Sequence, residues 1–266
     1  MIDRFGRRID YLRISVTDRC NLRCRYCMPP DGPTLVPHAE ILRFEEIVEV
    51  ARVAVEMGVT KLRLTGGEPL VRREIEKLVR MLAQLPGVRD LAMTTNGTLL
   101  AKHAKALALA GLHRVNVSLD AIDPQRYAAI TANGDVRDVL AGIEAACRAG
   151  LHPIKLNCVV GGDSDPHDAQ DVAKFARTHG LQVRFIPQMD LARGRFGLVQ
   201  GGTGGDCPRC NRLRLSADGQ IRPCLFSDLG YSVRELGAAE ALRRAVEAKP
   251  ASGSACTSRS ISAIGG

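Results

Sequence analysis

Residues 12–28 read LRISVTDRCNLRCRYCM, and this stretch decides the fold. Its first half is an apolar, strand-like run. Its second half sets Cys20, Cys24 and Cys27 at C-x3-C-x2-C, a spacing that wraps one loop around one compact metal centre. Thiolates suit both iron–sulfur clusters and zinc. A structural zinc site closes its tetrahedron with four protein ligands, and no fourth Cys or His lies nearby, so three thiols leave one metal position open for a small molecule. The plain alternative is a zinc knuckle or three unrelated thiols, and the length of the chain, the preceding strand and the later motifs all disfavour it.

Outward from this loop the chain alternates. ILRFEEIVEVARVAVEMG has the apolar spacing of a helix closed by Gly58, TKLRLTGG reads as a strand, and VRREIEKLVRMLAQLPG as a helix. The pairs DLAMTTNG with TLLAKHAKALALAG, HRVNVSLDA with DPQRYAAI and DVRDVLAGIEAACRAG, and HPIKLNCVV with DPHDAQDVAKFARTHG follow, and LQVRFIPQM ends the series. Six such units predict an α/β fold, a partial (β/α)6 TIM-like barrel of parallel strands with its site at the strands' C-terminal ends. The expected division is a barrel over 1–190 and a small C-terminal domain over 191–266.

Composition narrows the function. Of 266 residues, 45% are hydrophobic and 25% charged, as in ordinary globular proteins. No apolar run approaches a membrane span of about 20 residues, and MIDRFGRRID is too polar for a secretory signal, so a cytoplasmic protein is expected. Nine cysteines in a cytosolic chain favour metal ligation over disulfides. The net charge of +8 comes with only 4% aromatics, too few stacking platforms for nucleic acid, and suits a small polyphosphate equally well. Arg13, Lys61, Arg63, Lys155 and Arg184 all fall on strands, where charge is depleted, and predict an anion-binding cavity. A second triad, Cys207, Cys210 and Cys224, flanks Arg212, Leu213 and Arg214, and an Asp218-Gly219 hairpin turn would return Cys224 to the CPRC loop. Arginines two apart face one side of a strand and suit phosphates. A zinc ribbon lacking one ligand is the alternative for this triad.

The cysteine loop with Tyr26, followed by GGEP, resembles the radical S-adenosylmethionine (SAM) superfamily. With LRLTGGEPLVRR, MTTNGTLL, RVNVSLDAID, VRFI, CNRLRLSADGQIRPCLF and the terminal IGG, most of the chain is similar to the MoaA family, the GTP 3',8-cyclases of molybdenum-cofactor biosynthesis. The resemblance implies two [4Fe-4S] clusters, one on Cys20, Cys24 and Cys27 with SAM, the other on Cys207, Cys210 and Cys224, whose open iron anchors guanine. It implies SAM contacts at Tyr26, Gly67, Ser118 and Met189, and GTP contacts at Arg13, Arg63, Thr94, Lys155, Arg212, Leu213 and Arg214. A Gly265–Gly266 tail accompanied by Arg259 would assist cyclisation. The implied reaction is a lyase step: a 5'-deoxyadenosyl radical takes the ribose C3' hydrogen of GTP, and the product is (8S)-3',8-cyclo-7,8-dihydroguanosine 5'-triphosphate. Implied partners are GTP and an electron donor such as flavodoxin or ferredoxin, and a homodimer is compatible. The chain departs from the family where only DLARGR joins the VRFI strand to FGL, where Pro187 and Gln188 replace an acidic-aromatic pair, after Cys224, where the chain is shorter, and where Gly201, Gly202, Gly204 and Gly205 precede Cys207. The alternative reading is a related enzyme acting on another nucleotide or a peptide.

Overall fold

Each barrel strand alternates between two surroundings. In β1 (Tyr11–Ser15), Leu12 and Ile14 are wholly buried under helices, while Tyr11 and Arg13 line an internal cavity. In β2 (Lys61–Thr65), Leu62 and Leu64 are buried and Lys61 and Arg63 face the cavity. The two-residue period of a strand produces this sorting. A parallel sheet covered on both faces normally reads as a continuous apolar run. Here the inner set is charged, so the lumen is built to hold a ligand rather than to be filled by side chains.

The computed structural model describes residues 1–28, 32, 35–132, 134–162, 164–190 and 193–254. The remaining strands are β3 (Asp90–Thr95), β4 (Arg114–Ser118), β5 (Lys155–Val160), β6 (Gln182–Pro187), β7 (Arg212–Leu215), β8 (Gln220–Arg222) and β9 (Tyr231–Ser232). They form one nine-stranded sheet in the order β6-β5-β4-β3-β2-β1-β7-β8-β9. Strands β1 to β6 pair in parallel, as the six repeated units predict. β7 lies parallel to β1 on its free edge, and β8 returns antiparallel through the turn at Gly219. The C-terminal hairpin therefore extends the barrel sheet and forms no sheet of its own.

The helices are α1 (Phe44–Glu56), α2 (Ile75–Ala83), α3 (Leu100–Leu109), α4 (Pro124–Thr131), α5 (Val136–Arg148), α6 (Pro166–Thr178), α7 (Val233–Leu236) and α8 (Ala238–Glu247). In α2 the buried residues Ile75, Leu78, Val79 and Leu82 recur at helical spacing and face the sheet. α4, α5 and α6 start at Asp123, Asp135 and Asp165, whose carboxylates accept the N–H of Arg126, Arg137 and His167. Between β6 and the second cysteine triad the described residues form only isolated bridges, Phe185 to Gln200 and Asp190 to Arg195. No described helix is long and apolar enough to cross a membrane.

Candidate active site

Parallel register brings the charged positions together. Arg13 stands opposite Arg63 on one side and Arg214 on the other, Tyr11 opposite Lys61 and Arg212, and Asn157 opposite Ser118 and Arg184. They line a cavity of roughly 500 Å3 with the first cysteine triad on its wall. Burial and mutual repulsion push Arg184 and Arg214 down to about 10 and Arg13 well below the usual guanidinium range. The guanidinium carbons of Arg63 and Arg212 lie 5.6 and 5.7 Å from the Tyr11 ring centroid, so one aromatic ring meets two cations. Arg63 Nη1 donates to Thr94 Oγ1 at 3.4 Å, but the buried Nε of Arg63 and of Arg184 has no hydrogen-bond partner. Buried donors without partners are costly, and an anionic ligand would satisfy them.

The first triad sits where β1 runs out. Cys20, Cys24 and Cys27 are half-buried and all border the cavity, beside Gly66, Gly67, Ser118 and Met189. Burial, reinforced by Cys20 and Asp120, pushes the Cys27 thiol up to about 12, and burial with Cys27 raises Cys24 further. Three thiolates at this spot therefore need a compensating positive charge, which a bound iron cluster brings. Among the described residues no three His, Cys, Asp or Glu side chains are close enough to hold one metal ion. Three thiols bordering one cavity would instead suit an iron–sulfur cluster, which Cys20, Cys24 and Cys27 would hold. The residues fit the group.

Gly67 has a second reason to be glycine. A Cβ there would lie 2.3 Å from the Arg19 carbonyl oxygen, and the Gly67 and Glu68 N–H groups donate to Thr17 O and Arg19 O, each at 2.8 Å. The close approach that this glycine permits is to the backbone of the cysteine loop. Glu68, 1% exposed, accepts from Leu70 N, Thr95 Oγ1 and Asn96 N, and so ties the end of β3 to the segment after β2 that meets that loop.

The second triad is half-buried behind the arginines. Arg212 and Arg214 line the cavity, whereas Cys207, Cys210 and Cys224 do not. Burial raises the Cys210 thiol, but the Lys249 ammonium and the Arg212 N–H outweigh it and hold the thiol below its usual range. The donor set again suits a thiolate-bound cluster. Two further expected contacts are not among the residues that border the cavity. Leu213 is wholly buried in the apolar core, on the opposite strand face from Arg212 and Arg214, so its side chain contacts no cavity ligand. Lys155 is half-buried and not among the lining residues, and burial, with the nearby charges of Arg184 and Arg114, lowers it. Gly265, Gly266 and Arg259 lie outside the described residues. Sequence reasoning missed Asp90 and Arg114, which pair through Arg114 Nε at 2.9 Å, together with Asn116, Asn157, Asp120 and Thr203. The period-two pattern that found Arg63 also marks Asn116 and Asn157, whereas Thr203 sits in a glycine loop with no periodicity.

A thiol triad on the rim of a partial parallel barrel defines the radical SAM class, and the Radical SAM superfamily model matches residues 14–176. Solved structures share the fold: native anSMEcpe with bound AdoMet, 16% identical, superposes with a TM-score of 0.67 over 91% of this chain and 81% of that one. Streptococcus suis SuiB bound to S-adenosylmethionine, 14% identical, gives 0.66 over 86% and 64%. Sequence relatives are closer. The GTP 3',8-cyclase of Petrotoga mobilis is 40% identical over 88% of this chain and 87% of its own length. That of Moorella thermoacetica is 41% identical over 94% of both. The chain belongs to the GTP 3',8-cyclase family of the radical SAM superfamily. The Moorella alignment spans 304 positions, more than this chain's 266 residues, so the relative holds residues that are absent here.

Proposed function

We propose that this chain cyclises GTP between ribose C3' and guanine C8, for molybdenum-cofactor biosynthesis. The observation that carries the reading is one cavity with a thiol triad on its wall and a ring of buried guanidiniums across it. Cys20, Cys24 and Cys27 would hold the first [4Fe-4S] cluster, with SAM near Tyr26, Gly67, Ser118 and Met189. Cys207, Cys210 and Cys224 would hold a second. When bound, the cluster and SAM supply a carbon-centred radical for hydrogen abstraction.

The protein's own work is to position and shield. Arg13, Arg63, Arg184 and Arg214, with Lys155 at the edge, neutralise a triphosphate, and Thr94 orients Arg63 toward it. Such a ring favours a polyphosphate over a peptide. Gly265, Gly266 and Arg259 are proposed to approach the substrate from the tail. Reduction would come from a flavodoxin- or ferredoxin-type donor in the cytoplasm, and the chain would act as a monomer or homodimer without nucleic acid.

The test is anaerobic incubation of reconstituted enzyme with SAM, reductant and GTP. Cyclised product and about eight irons per chain are expected. Replacing Cys20, Cys24 and Cys27 should remove half the iron and all SAM cleavage. Deleting Gly265 and Gly266 should spare both and suppress product. Deoxyadenosine formed without any GTP-derived product would redirect the search to another nucleotide, and stoichiometric zinc on the second triad would end the two-cluster assignment.

A further inference from the structure

Lys249 follows α8 and is 1% exposed, a rare place for an ammonium. Its Nζ donates to Arg212 O at 2.6 Å and to Pro223 O at 2.8 Å. Arg212 lies two residues after Cys210, and Pro223 immediately precedes Cys224, so one ammonium joins the two segments that carry these thiols. Both carbonyls that this ammonium meets belong to residues within two positions of a second-triad thiol. A companion clasp holds the remaining ligand. Arg7 Nη1 donates to Cys207 O at 2.8 Å, its Nη2 to Pro250 O at 2.7 Å, and its Nε to Asp3.

The two triads differ in their surroundings. At the first triad an acid meets the loop directly, with Asp120 Oδ2 accepting from Tyr26 Oη at 2.6 Å between Cys24 and Cys27. At the second triad the Lys249 ammonium bonds the carbonyls beside Cys210 and Cys224, and the one nearby loop acid, Asp206, is paired with Arg209 at 2.7 Å. Hydrogen bonds to ligand sulfur and nearby positive charge both make a thiolate-bound cluster easier to reduce, and such outer contacts also fix the ligands' orientation.

We infer that Lys249 is the positioning residue of the second centre, clamping its ligand segments through two carbonyls and raising that centre's electron affinity through a positive charge held beside Cys210 and Cys224. This rests on the second triad holding an iron–sulfur cluster.

The experiment is an EPR-monitored redox titration of anaerobically reconstituted full-length enzyme, with iron counted in each sample. Lys249→Met is expected to lower the second centre's electron affinity about tenfold, equal to about 59 mV for a one-electron couple, and to leave the first centre unmoved. Lys249→Arg, which keeps the charge, should restore most of it. Where Lys249→Met does not accumulate as folded protein, Lys249→Gln keeps two N–H donors for the carbonyls, drops only the charge, and carries the same expectation. Loss of half the iron in Lys249→Met with retention in Lys249→Gln and Lys249→Arg would also support the clamp. Full iron and unchanged potentials in either neutral variant overturn the inference. Wild-type enzyme holding only four irons would sink the two-cluster reading itself, before any variant is compared.

Discussion

Tyr26 Oη donates to Asp120 Oδ2 at 2.6 Å, while Asp120 Oδ1 accepts the Val159 N–H at 2.8 Å. One carboxyl group thus joins the cysteine loop to the end of β4 and to β5. Burial raises Asp120 above the usual carboxylate range even though both bonds lower it, so the pair is held by desolvated, charge-assisted contacts. Tyr26→Phe should cost about 1–3 kcal/mol of stability, because it strips a donor from a buried acceptor. Urea unfolding measures it. Asp120→Asn in the Tyr26→Phe background should add much less than it costs alone, and full additivity would show that the two groups do not interact.

The arginine ring predicts opposite effects on stability and on binding. Arg184 is pushed down to about 10 by burial and by Arg63 and Arg114, so its charge destabilises the empty protein. Arg184→Met should leave the unliganded melting temperature unchanged or higher while weakening GTP at least tenfold, the scale of one lost charge-assisted bond. Wild-type enzyme should gain about 2.7 kcal/mol at a GTP concentration 100 times Kd, and the affinity should fall as salt rises. Calorimetry giving equal GTP affinity for both proteins would place the triphosphate elsewhere.

Much of this site was legible before any coordinates, for a physical reason. Strand period and cysteine spacing are local, so Arg13, Arg63, Arg184 and the first triad announced their faces without knowledge of packing. Glycine pairs were legible as close approaches, but their partner was not: Gly67 meets Arg19 because β1 and β2 are neighbours in the sheet. The addition of β7 to the free edge of β1 was hidden for the same reason. Pairing between residues about 200 apart leaves no periodic trace. Lys249 was invisible altogether, since nothing near it in sequence says that its partners would be Arg212 O and Pro223 O.

Glu68 gives the fold a pH dependence. Burial lifts it to about 7 from an ordinary 4.5, despite three donors that favour the charged form. A raised acid binds its proton more tightly in the folded state, so its protonated form stabilises below the unfolded value. That contribution is lost as pH rises from about 4.5 through about 7, and it amounts to roughly 3 kcal/mol. In Glu68→Gln the loss should disappear. The variant sets its amide N–H against the Asn96 N–H and so starts less stable, which makes the slope the diagnostic quantity. Urea midpoints at equal iron content between pH 5 and 8 should fall for wild type and stay flatter for the variant. Parallel slopes would mean that Glu68 titrates normally.

The glycine loop before Cys207 is tied to the arginine ring through Thr203, whose Oγ1 and O accept from Arg212 Nη2 at 2.7 and 3.0 Å. Two residues on, Gly205 has φ +77°, and a Cβ there would lie 2.0 Å from Gly197 O. Backbone conformation and close contact both demand glycine at that position. Gly205→Ala must therefore move the loop, and Thr203 with it, away from Arg212. Gly180→Ala is the comparator, because Gly180 has φ +64° but open space around its Cβ, and it bears only the backbone cost of about 1 kcal/mol. Gly205→Ala should lose clearly more stability than this. It should also change GTP affinity at least several-fold, with SAM binding and first-centre iron unaffected. Thermal melts with calorimetry on both variants decide the matter. If Gly205→Ala matches Gly180→Ala in stability and wild type in GTP affinity, the loop does not help to shape the substrate cavity.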